Sequence, residues 1–208
     1  MGISSENCGP KKPVSRQREM RCDVCNAPTT LEQGTLIRAE DFRSLLKKGF
    51  AIHESDIKML MDSGLSREQA VEMLRARNAA FQSDWLLCPE CALRLASKTW
   101  DEESALELLI DNERAVREGE ICADSPEYCD VCHQPFAGHR FMIDGQIEGT
   151  LQTLVQGQTM YEWGYMCAKC FAARGVGIRW GAGQLYQRTR ADQWLLVAGF
   201  RPESDDDT

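Results

Sequence analysis

The chain has 208 residues, 43% apolar and 27% charged, which suits one medium domain or two small ones. A net charge of −8 disfavours a role that grips phosphate with the chain as a whole. The longest apolar run, residues 194–200, is strand-sized and far short of the roughly 20 residues of a membrane helix.

Residues 1–20 are polar and basic, with Lys11, Lys12, Arg16 and Arg18, and read as a disordered tail. They contain no apolar core of a secretory signal, so the expected setting is cytoplasmic or otherwise intracellular and reducing. A first module is expected over 21–98. It opens on CDVCNAP, with Cys22 and Cys25, followed by strand-like alternation. Residues 40–50 place Phe42, Leu45 and Leu46 at helical spacing. Ser55 is positioned to cap a short helix carrying Ile57, Leu60 and Met61, and Gly64 breaks it. Ser66 and Gln69 make a capping box for a helix with Ala70, Val71, Leu74 and Phe81 on its apolar face. The module closes on WLLCPECALRLA, where Cys88 and Cys91 run into a helical stretch.

Residues 99–120 are expected to form one connecting acidic helix, started by a Thr99–Glu102 capping box and stopped at Gly119. Its stripe of Ala105, Leu106, Leu109, Ile110 and Val116 needs a covering partner, so the helix should dock on one or both modules. A second module is expected over 121–200. It holds CDVCHQP with Cys129 and Cys132, then a hairpin turning at Gly145. A strand over 159–166 leads to Cys167 and Cys170, again at a helix start, and a hairpin pairs 184–188 with 193–198 across a polar turn. Trp180, Tyr186, Trp194 and Phe200 gather here, either as a satellite core or as an exposed ledge for a partner. Residues 201–208 form an acidic tail.

Eight of the 10 cysteines fall into four C-x-x-C pairs. Two sulfurs three residues apart on a tight turn reach one ion, and two pairs supply four thiolates, the closed shell of a structural zinc site. Two Zn2+ ions are therefore expected, each held within one half: Cys22, Cys25, Cys88 and Cys91, then Cys129, Cys132, Cys167 and Cys170. A cross-braced pairing between the halves uses the same residues. An iron site, or disulfides and redox dithiols, are the other readings of the spacing. His133 and His139 are possible substitute ligands, and Cys8 and Cys122 fall outside the pairs. The recurrence of CDVC, a proline six residues after its first cysteine and a tryptophan ahead of the second pair points to an internal duplication with extra chain in the first half.

A knuckle, a hairpin and a helix carrying the last two ligands resembles the treble-clef zinc finger. The resemblance covers about 22–98 and 129–174, and implies an α+β fold of two small zinc-bound modules with β-hairpins, a helical insert in the first and a connecting helix. Residues 55–87 also resemble the start of a ubiquitin-associated domain, with Ser63-Gly64-Leu65 where that family has Met-Gly-Phe or Met-Gly-Tyr. The alternative is a helical hairpin packed on the finger.

The leading functional expectation is a zinc-stabilised protein-interaction adaptor or regulator, not an enzyme, because a closed thiolate shell leaves no place for a metal-bound water. A nucleic-acid-binding or transcription-regulatory finger is the alternative, resting on the basic tail and opposed by the charge. A redox-responsive zinc switch is the third reading.

Overall fold

A computed structural model of the protein describes residues 20–153 and 159–202. The expected tails, 1–20 and 201–208, and with them Cys8, lie outside those residues except at Met20, which pairs with Thr29 in a strand rather than being disordered, and at Arg201 and Pro202. The fold is mixed α and β, with small antiparallel sheets.

In the first half, β1 (Met20–Arg21) and β2 (Pro28–Thr29) pair around the first two cysteines. β3 (Thr35–Ile37) pairs with β4 (Trp85–Leu87), Leu36 opposite Leu86. The chain between them forms α1 (Ala39–Lys47), α2 (Glu54–Asp62) and α3 (Arg67–Ala79). α4 (Pro89–Ser97) leaves directly from β4. α1 buries Phe42 and Leu46, as its spacing requires. α3 starts on the expected box: Ser66 Oγ accepts from Gln69 N, and Gln69 Oε1 accepts from Ser66 N. Two local expectations fail here. His53, not Ser55, is the N-cap of α2, so Ser55 sits inside the first turn. Phe81 lies beyond the end of α3 and is 53% exposed, its ring edge-on to Trp85. The segment that a ubiquitin-associated fold would make a third helix ends instead in β4, because Trp85–Leu87 is needed as the partner of β3.

The connector is two helices, not one. α5 (Glu102–Glu107) starts on Asp101, whose carboxylate accepts from Ser104 N, displacing the expected Thr99–Glu102 box. α6 (Asn112–Glu118) has its own cap at Asp111. Asp111 N donates to Val197 O, which ties the break between the helices to the second half. The apolar stripe restarts there, so Leu106 and Leu109 are buried while Val116 is 90% exposed. Val116→Ser should therefore change stability by less than about 0.5 kcal/mol. Leu106→Ala should cost about 2–5 kcal/mol. Urea unfolding of the two variants distinguishes them.

In the second half, β5 (Phe141–Thr153), β6 (Thr159–Met166), β7 (Gly183–Arg188) and β8 (Trp194–Ala198) form one sheet in the order β6-β5-β7-β8, with α7 (Ala168–Arg174) between β6 and β7. The strand over 159–166 and the hairpin of β7 and β8 lie where the sequence puts them. Gly145 is not a turn. It sits inside β5 opposite Gly183, and a Cβ on it would come within 2.9 Å of Gly183 Cα. Two glycines face each other because the strands leave no room for a side chain.

Two buried clusters organise these elements. The smaller unites Cys22, Cys88 and Cys91 with Phe42, Leu46, Phe50, Ala51, Trp85 and Leu87. The larger joins Ile57, Val71 and Leu74 of the insert, through Leu106 and Leu109, to Phe141, Ile143, Leu185 and Trp194 of the four-stranded sheet. The helical insert thus shares its apolar face with the second half. Arg140 clamps the same junction, bonding both Glu103 and Glu107 of α5.

Candidate metal centres

Each half builds its site from the same backbone parts. Cys22 N donates to Ala27 O at 2.9 Å, and Cys129 N to Gln134 O at 2.9 Å. Asn26 N donates to Cys22 O, and His133 N to Cys129 O, both at 2.8 Å. These bonds close a tight turn, which needs the residue after each first pair in the left-handed region: Asn26 has φ 62° and His133 has φ 57°. The turn presents both sulfurs of the pair to one side. The second pair is carried on a helix start in each half. Cys88 is the N-cap of α4 and Cys167 that of α7, so Cys91 and Cys170 lie one turn in. Unpaired N–H groups and the helix dipole favour negative sulfur there.

The aspartate of each CDVC fixes the two parts together. Asp23 N donates to Leu86 O at 2.9 Å, and Asp23 Oδ2 accepts from Leu86 N at 2.6 Å. Asp130 repeats this with Tyr165, at 2.8 and 2.6 Å. Leu86 and Tyr165 each stand two residues before the second pair. A single residue thereby acts as a short strand, holding one pair of ligands in register with the other. Gly164 makes room for it, since a Cβ there would come within 2.9 Å of Asp130 Oδ2. The recurrence of CDVC was visible in the sequence, yet its aspartate reads there only as a spacer. Asp23→Ala and Asp130→Ala should each cost about 1–2 kcal/mol, because a charged acceptor is lost from a strand N–H that partial exposure lets water reach. A comparable loss in both variants, measured by thermal melts of the zinc-loaded protein, tests the equivalence.

The result is two groups of four sulfurs, Cys22, Cys25, Cys88 and Cys91, and Cys129, Cys132, Cys167 and Cys170, each with its ligand atoms within 4.8 Å of one another. Pairing is within each half, not across them. Cys25 Sγ lies 3.6 Å from Cys88 Sγ, and Cys132 Sγ 4.0 Å from Cys167 Sγ. A tetrahedron with metal–sulfur bonds of about 2.3 Å has sulfurs about 3.8 Å apart, so both groups fit zinc. Neither group includes a histidine. His139 instead lies 3.4 Å from Glu103, and His53 Nδ1 3.2 Å from Arg94. Cys122 is partly buried, belongs to neither group, and donates its N–H to Trp194 O.

No family model, curated protein or solved structure matches this chain. The chemistry must therefore be read from the sites themselves.

Electrostatics favour a resident cation. Burial raises the Cys22 thiol, but N–H groups of Cys88, Cys25 and Val24 outweigh it and bring the group down to about 7. The Gln134 N–H likewise lowers Cys132. Burial pushes Cys91 and Cys170 upward, and the sulfurs around them push further. One thiol in each group is eased toward its thiolate, while another is held protonated by burial and its neighbours. A divalent cation resolves that conflict, because only with it present are four thiolates stable together.

The aromatic residues of the C-terminal hairpin do not form a shared ledge. Trp194 is 4% exposed and packs edge-on against Phe136, with Arg188 over its ring. Tyr186 is 8% exposed and donates to Gln184 Oε1. Trp180 alone of the three lies outside, 51% exposed in the loop before β7. Among the described residues no helix is long and apolar enough to cross a membrane.

Proposed function

We propose that this protein is a zinc-stabilised adaptor: two treble-clef-like modules, related by internal duplication, hold surfaces for a protein partner and carry no metal-based catalysis. The observation that carries the reading is the repeated four-sulfur geometry. Four thiolates complete a tetrahedral shell, so a metal held this way has no open position at which to activate water. Its contribution is to folding. Small α+β modules have limited cores, and a structural metal supplies what the core lacks. Zn2+ is the ion of choice because an all-sulfur tetrahedral shell suits it and its d10 shell carries no redox chemistry. The knuckle, the paired strands and the helix with the last two ligands supply the treble-clef likeness, and the matched bonds of Asp23 and Asp130 support a copied unit. A reducing, intracellular setting accords with thiolates kept free for metal.

The protein partner follows from what the zinc scaffold displays. The exposed Trp180, flanked by Arg179 and Gly181, is one aromatic anchor it offers, beside the exposed Tyr128, Phe81 and Trp163. A nucleic-acid role is disfavoured by the acidic connector, which with its flank (99–128) has two basic and ten acidic residues. Native mass spectrometry of protein purified without added metal should find two zinc ions per chain. One ion per chain, or iron, overturns the reading of the sites. A crosslinking pull-down compared between wild type and Trp180→Ala tests the adaptor role, which fails if no protein is captured by either.

A further inference from the structure

Helices α3, α5 and α7 and the loop over 175–179 enclose an open groove of about 1010 Å3. It belongs to neither metal centre. Val71, Leu106 and Phe171 give it an apolar lining, and Arg75 stands in its wall. Arg67, Arg114, Arg140 and Arg188 each have a carboxylate at ion-pair distance, on Glu54, Glu118, Glu103 and Asp192. Arg75 has none. Its Nη2 donates to Ala105 O at 3.3 Å, and its buried Nε has no partner. The acid that acts on it, Glu72, is exposed on the same helix. Burial pulls the guanidinium below its usual range, which measures the cost of placing it there unpaired. Thr29 Oγ1, His53 Nε2 and Arg188 Nε are also buried without a partner among the described residues, but of these four residues only Arg75 lines the groove, where a ligand can answer it.

We propose that this groove binds a small amphiphile, an apolar body ending in a carboxylate, with the carboxylate on Arg75 and the body against Val71, Leu106 and Phe171. Charge complementarity selects the anion, because a guanidinium pairs a carboxylate in a planar fork. Three other cationic and three glutamate side chains also line the groove. Their opposite signs offset one another, so the preference rests on Arg75. The volume selects a small molecule, since sites for such ligands run about 300–1,000 Å3. The groove lies where insert, connector and second half meet, so an occupant would bridge all three. This inference goes beyond the adaptor reading and does not depend on it.

The test is a fluorescence titration of the zinc-loaded full chain with 11-(dansylamino)undecanoic acid and with its methyl ester. The acid should bind at one site per chain, about tenfold or more tighter than the ester, because only the acid pairs with Arg75. Arg75→Gln should bring the acid down to the level of the ester while zinc content and melting temperature are kept. Should Arg75→Gln fail to fold, Ala76→Trp fills the groove from its exposed side and should abolish binding of acid and ester alike. Equal binding of acid and ester, undiminished binding by the folded variants, or no binding of either probe overturns the proposal. An apolar peptide with a free C-terminus that binds where the fatty acid does not overturns the small-molecule assignment.

Discussion

Cys88→Ser is expected to unfold the first half of the chain and to leave one zinc ion per molecule, whereas Cys122→Ser leaves both ions and costs less than about 1 kcal/mol. The two cysteines differ in what their sulfurs meet. Cys88 is one of four ligand atoms converging within 4.8 Å, and it also caps α4 and belongs to the smaller buried cluster. Cys122 packs at the margin of the larger cluster and converges with no other sulfur among the described residues. A structural zinc ion contributes about 10–16 kcal/mol of binding free energy, which is folding free energy when the site exists only in the folded chain. Total stability of a domain is about 5–15 kcal/mol, so a weakened site is not compensated by the remaining contacts. Zinc counted by native mass spectrometry, beside far-ultraviolet circular dichroism, reads both effects. Equal tolerance of the two substitutions would falsify the division of the cysteines.

Phe42→Ala should cost about 3–5 kcal/mol and loosen only the first metal centre. Phe42 is fully buried, stacks on Trp85 with centroids 3.8 Å apart, and meets Phe50 edge-on at 5.9 Å. Trp85 begins the strand that leads straight into Cys88, so the stack braces the second ligand pair. The smaller cluster is too small to close over the cavity that a lost ring leaves, and the penalty belongs at the upper part of the range. Transfer of zinc to a chromogenic chelator should become biphasic, with one ion leaving early and one at the wild-type rate. Release of both ions at the same accelerated rate would show that the two sites are mechanically one.

The parts legible in the sequence are those fixed by near neighbours. Ligand pairs are chemistry at a spacing of three, and the Ser66–Gln69 cap is a bond between residues on one turn. β7 and β8 were legible because a polar turn separates an alternating run from an apolar one. What could not be read depends on distant chain. Gly145 resembles a turn residue, and only the close approach of Gly183 explains it as a strand interior. Val116 fits a helical stripe until Asp111 bonds Val197 and resets the helix. Asp23 and Asp130 each need a partner at the far end of their half, residues Leu86 and Tyr165, before their role appears. The sharing of one core between the helical insert and the four-stranded sheet has no local signature, since any amphipathic helix shows an apolar face without naming what covers it.

That shared core sets an order of assembly during synthesis. The first metal centre has all its ligands once residue 91 has emerged, so zinc can close it early. At that moment Ile57, Val71 and Leu74 still lack Leu106, Leu109 and the strands up to Ala198. The nascent chain therefore holds a metal-locked end beside an uncovered helical hairpin for the time the ribosome needs to add about a hundred further residues, on the order of 5–20 s. Through that interval the hairpin is exposed to chaperones and to other nascent chains, and release of its apolar face from them waits on the last strand of the sheet.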